Sequence, residues 1–216
     1  MELWCGYLPR TTIHGIDANL REDCLPCALG RGVQGWAVDP SDPASLAKVA
    51  AAGGPFDIVV DDASHGPAAQ LEALKALFAS DAALAPGGLY IIEDIETSYW
   101  TSGEVGGNPV KAGRGSAGSA VAVLEKLADV VNAEFFDPAH TVAELGAEVS
   151  AAVESVAFER NMVALRKRGS AGEAATLDRR NYRYSDNVGG YKEACALSDG
   201  TVGPCKAGGG EPLPTK

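Results

Sequence analysis

Two short apolar runs in this chain end in the same way. "FDIVVDDASH" (residues 56–65) carries Ile58, Val59 and Val60 into Asp61 and Asp62, and "LYIIEDIETSYW" (residues 89–100) carries Tyr90, Ile91 and Ile92 into Glu93 and Asp94. Runs this short and continuous suit strands of a parallel sheet, buried on both faces. Between them, "PAAQLEALKALFA" (67–79) sets Leu71, Leu74 and Phe78 on one helical face. Strand, crossover helix, strand implies two parallel neighbours about 4.8 Å apart. Their four carboxylates then converge at one end of the sheet.

The alternation extends along the chain. "TTIHGID" (11–17) is β-branched and closes on Asp17, and "VQGWAVD" (33–39) alternates and closes on Asp39. Residues 43–52 follow the cap residue Asp42, with Pro43 at the first helical position. "APGGL" (85–89) is a turn that launches the second acidic strand. Residues 103–118 are glycine-rich and read as a loop. Residues 119–133 read as a helix with Val121, Leu124, Leu127 and Val131 on one face. Residues 154–160 and 161–168 form a closing antiparallel pair, with Arg160-Asn161 near the turn. The fold class is therefore α/β, a Rossmann-like, mostly parallel sheet with helices on both faces. From Gly169 the chain is polar, glycine-rich and aperiodic, which divides it into a domain over 1–168 and a mobile tail over 169–216.

Composition narrows the partners. The 216 residues carry a net charge of −11, which disfavours nucleic acid, since affinity for its backbone comes from Lys and Arg. No apolar run approaches the roughly 18 residues of a membrane span, and "MELWCGYLPR" lacks the pattern of a secretory signal. A cytoplasmic protein is expected. Cys24 and Cys27 form one CxxC, but Cys195 and Cys205 make a poor second pair for zinc, so inert thiols are favoured over zinc or a redox dithiol. "GRGSAG" (113–118) matches GxGxxG, yet no strand precedes it; a flexible lid-like loop is the better reading.

Converging carboxylates repel unless a cation sits between them. Oxygen ligands favour magnesium, calcium or manganese. The competing reading is that these acids cap helices or end strands in solvent. His65, three residues after Asp62, is placed to act as a general base. Asp17, at an early strand end, suits the ribose hydroxyls of a nucleotide-like cofactor, with Asp39, Ser41 and Asp42 toward its adenine. Asp61 is assigned to the same ligand.

"FDIVVDDASH" followed by "LAPGGLYIIEDIETSYW" resembles the metal-dependent O-methyltransferases of macrolide sugars, of the macrocin and mycinamicin type, related to the rhamnosyl O-methyltransferase and cephalosporin hydroxylase group. "TIHGIDAN" and "VDPSDP" resemble that family's second and third strand ends. The resemblance covers roughly residues 1–167. It implies a class I methyltransferase fold, S-adenosylmethionine as donor, magnesium as the bound ion, and a hydroxyl of a sugar or sugar-bearing small molecule as acceptor. It places the metal on Asp62, Glu93 and Asp94 and the general base on His65. Two departures stand out. Ala63 replaces the family's glycine, and the family's first strand and glycine-rich turn are lacking: "MELWCGYLPR" resembles the helix that follows them. The expectation is an N-terminally incomplete chain, with an upstream extension of about 20–50 residues carrying that strand and turn. A non-catalytic, metal-binding remnant is the alternative. A metal-dependent hydroxylase ranks below both, because His14, His65 and His140 are scattered. A homo-oligomer is left open.

Overall fold

The computed structural model describes residues 2–20, 33–170, 194–196 and 202–204. Cys24, Cys27 and Cys205 lie outside them, as does most of the stretch read as a tail. The chain divides into two compact units, Met1–Leu177 and Asp178–Lys216.

The first unit opens with α1 (Glu2–Tyr7), where the sequence resembles a helix, then β1 (Ile13–Asp17) and β2 (Val33–Ala37). These strands pair in parallel, with Asp17 opposite Ala37. α2 (Pro43–Gly53) begins where Asp42 accepts hydrogen bonds from the N–H groups of Ala44 and Ser45, satisfying two donors that the first turn leaves free. β3 (Phe56–Asp61), α3 (Pro67–Leu77) and β4 (Leu84–Glu93) form the expected strand–helix–strand unit. β3 and β4 are parallel, with Asp61 opposite Ile92. β5 (Gly103–Val105) and β6 (Asn108–Val110) make a small antiparallel hairpin inside the stretch read as a loop. The helical segment that follows is broken at Lys126 into α4 (Ala120–Glu125) and α5 (Leu127–Val131). α6 (Gly146–Ala152) leads into β7 (Val153–Glu159) and β8 (Met162–Lys167), the predicted antiparallel pair. In the second unit, β9 (Ala194–Ala196) and β10 (Val202–Pro204) pair antiparallel.

The main sheet runs β3-β4-β8-β7, while β1 and β2 form a separate two-stranded sheet. Side chains alternate across the main sheet. Tyr90, Ile92, Val163 and Leu165 share one face and are fully buried against Leu74 and Phe78 of the α3 segment, Leu124 of α4 and Leu127 of α5. Ile58 and Val60 lie on the opposite face and are 55% and 39% exposed. Helices on both faces were expected; among the described residues the main core lies on one. A continuous apolar run does not show which of its residues a helix covers. Among the described residues no helix is long and apolar enough to cross a membrane.

Candidate metal and catalytic site

The parallel register brings β3 and β4 to an end together. Asp62 emerges beside Glu93 and Asp94, and the loop from Asp62 turns back into α3. Thr97, in the 3-10 helix Ile95–Tyr99 that follows β4, donates its hydroxyl to the His65 carbonyl and ties that loop in place. The His65 ring then lies between two carboxylates: Nε2 is 3.2 Å from Asp62 Oδ1 and 3.4 Å from Asp94 Oδ2. Ligand-capable atoms of Asp62, His65 and Asp94 all fall within 4.8 Å of one another. The two carboxylates, Asp62 exposed and Asp94 half-buried, are oxygen donors of the kind magnesium or manganese takes, and the half-buried imidazole beside them is a nitrogen base rather than a ligand for a hard cation.

Glu93 ends β4 half-buried, outside that three-residue group. Asp61 faces the other way. It is 8% exposed and accepts a hydrogen bond from the Tyr90 hydroxyl at 3.1 Å. Burial pushes its carboxyl above the ordinary range, opposed by the Tyr90 and Ala63 hydrogen bonds, and burial likewise drives Tyr90 well up. Strand alternation explains why neighbouring aspartates part: Asp61 shares the core face with Tyr90, and Asp62 is freed at the strand end.

The residues assigned to the cofactor end the smaller sheet. Asp17 accepts from the Asn19 N–H. Asp39 accepts from the hydroxyl and N–H of Ser41, which hold it below the usual carboxylate range. Asp42 is lowered by the Ser45 hydroxyl and the α2 N–H groups it caps. All four residues are exposed, Asp17 at the end of β1 and the others between β2 and α2, and their side chains are engaged locally.

Two residues outside the sequence-based set support the acidic pair. Gln70 of α3 is 2% exposed, and its amide donates to the carbonyls of Glu93 and Asp94 at 3.0 and 3.3 Å. Its Oε1 has no protein partner. A polar residue one turn before Leu74 on the apolar stripe was the available signal. Asn161, between β7 and β8, donates to Asp94 Oδ1 at 2.7 Å. It carried no comparable signal.

The fold of this chain is a methyltransferase fold. It matches the MycE methyltransferase of the mycinamycin biosynthetic pathway, solved in complex with Mg and SAH, at a TM-score of 0.61 and 27% identity over 77% of this chain and 39% of that one. A further MycE structure, matching at the same TM-score, also holds mycinamycin VI. The curated relatives are sugar O-methyltransferases. The chain is 39% identical over 104 residues to an 8-demethyl-8-alpha-L-rhamnosyl tetracenomycin-C 2'-O-methyltransferase of Streptomyces olivaceus, covering 46% of this chain and 25% of the relative. It is 33% identical over 131 residues to the mycinamicin VI 2''-O-methyltransferase of Micromonospora griseorubida, covering 61% and 30%. The demethylmacrocin O-methyltransferase of Streptomyces fradiae is 32% identical, covering 59% and 30%. This chain thus spans between a quarter and a third of these relatives' lengths. No protein-family model matches it.

Proposed function

We propose that residues 1–168 form the metal-binding and proton-abstracting domain of an O-methyltransferase that transfers a methyl group from S-adenosylmethionine to a hydroxyl of a sugar or sugar-bearing small molecule. The observation that carries this reading is the meeting of Asp62, His65 and Asp94 at the end of β3 and β4, on a fold like that of MycE. Asp62 and Asp94 would hold Mg2+, joined by Glu93 at the adjacent strand end. The ion would bind the acceptor oxygens and lower the pKa of the reacting hydroxyl.

His65 contributes the proton acceptor. Its neutral ring takes the hydroxyl proton, and the carboxylates of Asp62 and Asp94, 3.2 and 3.4 Å from Nε2, stabilise the imidazolium that forms. S-adenosylmethionine would supply the methyl group: the freed oxygen would bond to its methyl carbon as the carbon–sulfur bond breaks and the electron pair stays on sulfur. Asp17, Asp39, Ser41 and Asp42 are the candidates for the donor's ribose and adenine, with Asp61 bracing the strand end through Tyr90.

His65→Ala tests the assignment. It should lower turnover on a sugar acceptor by about 100- to 10,000-fold while Mg2+ affinity changes much less. Unchanged turnover would remove His65 from the chemistry. One observation favours a second reading, a non-catalytic remnant: the cofactor candidates are engaged in local turns and caps. Calorimetric titration with S-adenosylmethionine separates the two, because the remnant would bind Mg2+ but not the donor.

A further inference from the structure

Among the described residues, the non-glycine residues with positive φ are Asp94 (φ 51°) and Asn161 (φ 60°). They are hydrogen-bonded to each other through their side chains. L-residues enter this region at a cost, and such conformations concentrate at functional sites. Strand register produces the meeting. β8 pairs with β4 so that Met162 lies opposite Glu93, and the preceding residue, Asn161, arrives beside Asp94 across 67 residues of chain.

The orientation of the Asn161 amide is set by its two partners. Its Oδ1 accepts from the Glu96 N–H at 2.9 Å, in the first turn of the 3-10 helix, so its NH2 group faces Asp94 Oδ1 at 2.7 Å. Asp94 Oδ1 is thereby engaged, and Oδ2 is the atom turned to His65. Gln70 holds the main-chain carbonyls of the same acidic pair from the opposite element.

We propose that Asn161 is a positioning residue of the cation site, fixing the Asp94 carboxylate so that Oδ2 faces the space shared with Asp62 and His65. This rests on the reading of Asp62, Glu93 and Asp94 as metal ligands. It predicts a specific signature. Mg2+ demands near-ideal octahedral geometry at short distances, whereas Ca2+ accepts irregular ligation. A loosened Asp94 therefore costs Mg2+ more than Ca2+. Residues that orient metal ligands typically matter by 10- to 100-fold in affinity.

The test is competition of Mg2+ and of Ca2+ against Mn2+, followed by the Mn2+ paramagnetic resonance signal, in the parent and in Asn161→Gly. Glycine adopts φ of 60° without strain, so the hairpin turn survives while both hydrogen bonds are lost. The expected result is a loss of Mg2+ affinity of about tenfold or more, a much smaller loss for Ca2+, and hence a reduced preference for Mg2+. Equal losses for both ions, or none, overturn the positioning role. If Asn161→Gly melts far below the parent, Asn161→Asp decides. It keeps the left-handed turn and the acceptor for Glu96 but cannot donate to Asp94 when ionised. Its added charge draws both ions alike, so a parent-like preference in that variant also overturns the role. A parent that binds none of the three ions removes the cation site itself, and Asn161's role with it.

Discussion

His14 shows how much one side chain's surroundings decide. Its ring is stacked on Trp36 at 6.4 Å between centroids and meets Phe56 edge-on at 5.1 Å. The Trp36 indole N–H donates to Nδ1 at 3.3 Å. Indole can only donate, so Nδ1 carries the lone pair and the neutral ring holds its proton on Nε2. Burial lowers the pKa of His14 below its usual 6.5. The folded chain thus holds this proton less tightly than the unfolded chain. The stability it contributes is complete above about 6.5 and is lost as pH falls from there through the lowered folded value. Urea unfolding at pH 7 and pH 5 should therefore show a smaller loss for His14→Gln than for the parent, since glutamine still offers the indole an acceptor without titrating there. Identical losses would mean that His14 is not the titrating group. At this scale the sequence was legible where chemistry is local: the Asp42 cap, the acidic strand ends, and His65 beside Asp62. It was silent on Asn161, which reads as an ordinary turn residue and acquires its partner only through the β4–β8 register. Asp61 and Asp62 are indistinguishable as letters. Only strand alternation and Tyr90 send one inward and free the other.

Among the elements, the β3–α3–β4 unit was readable because its apolar periods, its crossover helix and its acidic ends agree. The β5–β6 hairpin was not, although Gly106 and Gly107, both at positive φ, supply the two left-handed positions that a tight hairpin turn needs. Coverage of the sheet was also illegible: Ile58 and Val59 are equally apolar, yet only Val59 packs against the main core. The junction between α2 and β3 makes a sharp test of packing. A Cβ added at Gly54 would meet the Ala82 carbonyl oxygen at 2.2 Å and the Ala50 carbonyl oxygen at 2.7 Å. Both obstacles are backbone, so α2 or the turn before β4 must move. Gly54→Ala should cost about 1–3 kcal/mol in urea unfolding. Gly6→Ala is the counterpart. Nothing lies within 4 Å of its added Cβ inside α1, and replacing a helical glycine should add about 0.5–1 kcal/mol. Equal effects at both sites would show that the Gly54 contact is relieved at no cost.

For the whole molecule the largest electrostatic fact is the net charge of −11, and the acidic strand ends concentrate part of it at one place. Bringing Asp62 and Asp94 together on folding, with Glu93 at the adjoining strand end, works against their mutual repulsion. A cation that binds only the folded arrangement stabilises it by mass action, about 2.7 kcal/mol at a hundredfold excess over the dissociation constant. Mg2+ should therefore raise the melting temperature of this chain in a concentration-dependent way. General screening of an acidic protein would also raise it, so the control is sodium chloride at matched ionic strength. Screening is indifferent to which carboxylate is present, whereas a site is not. Asp62→Asn removes one charge of many but one of the few ligands, and should abolish most of the gain from Mg2+ while leaving the response to sodium chloride unchanged. Without divalent ion the variant trades the repulsion it relieves against a weakened His65–Asp62 contact, so its own melting point should stay near the parent's. If sodium chloride reproduces the Mg2+ effect, or if Asp62→Asn gains as much from Mg2+ as the parent does, the strand ends are an acidic surface and not a metal site.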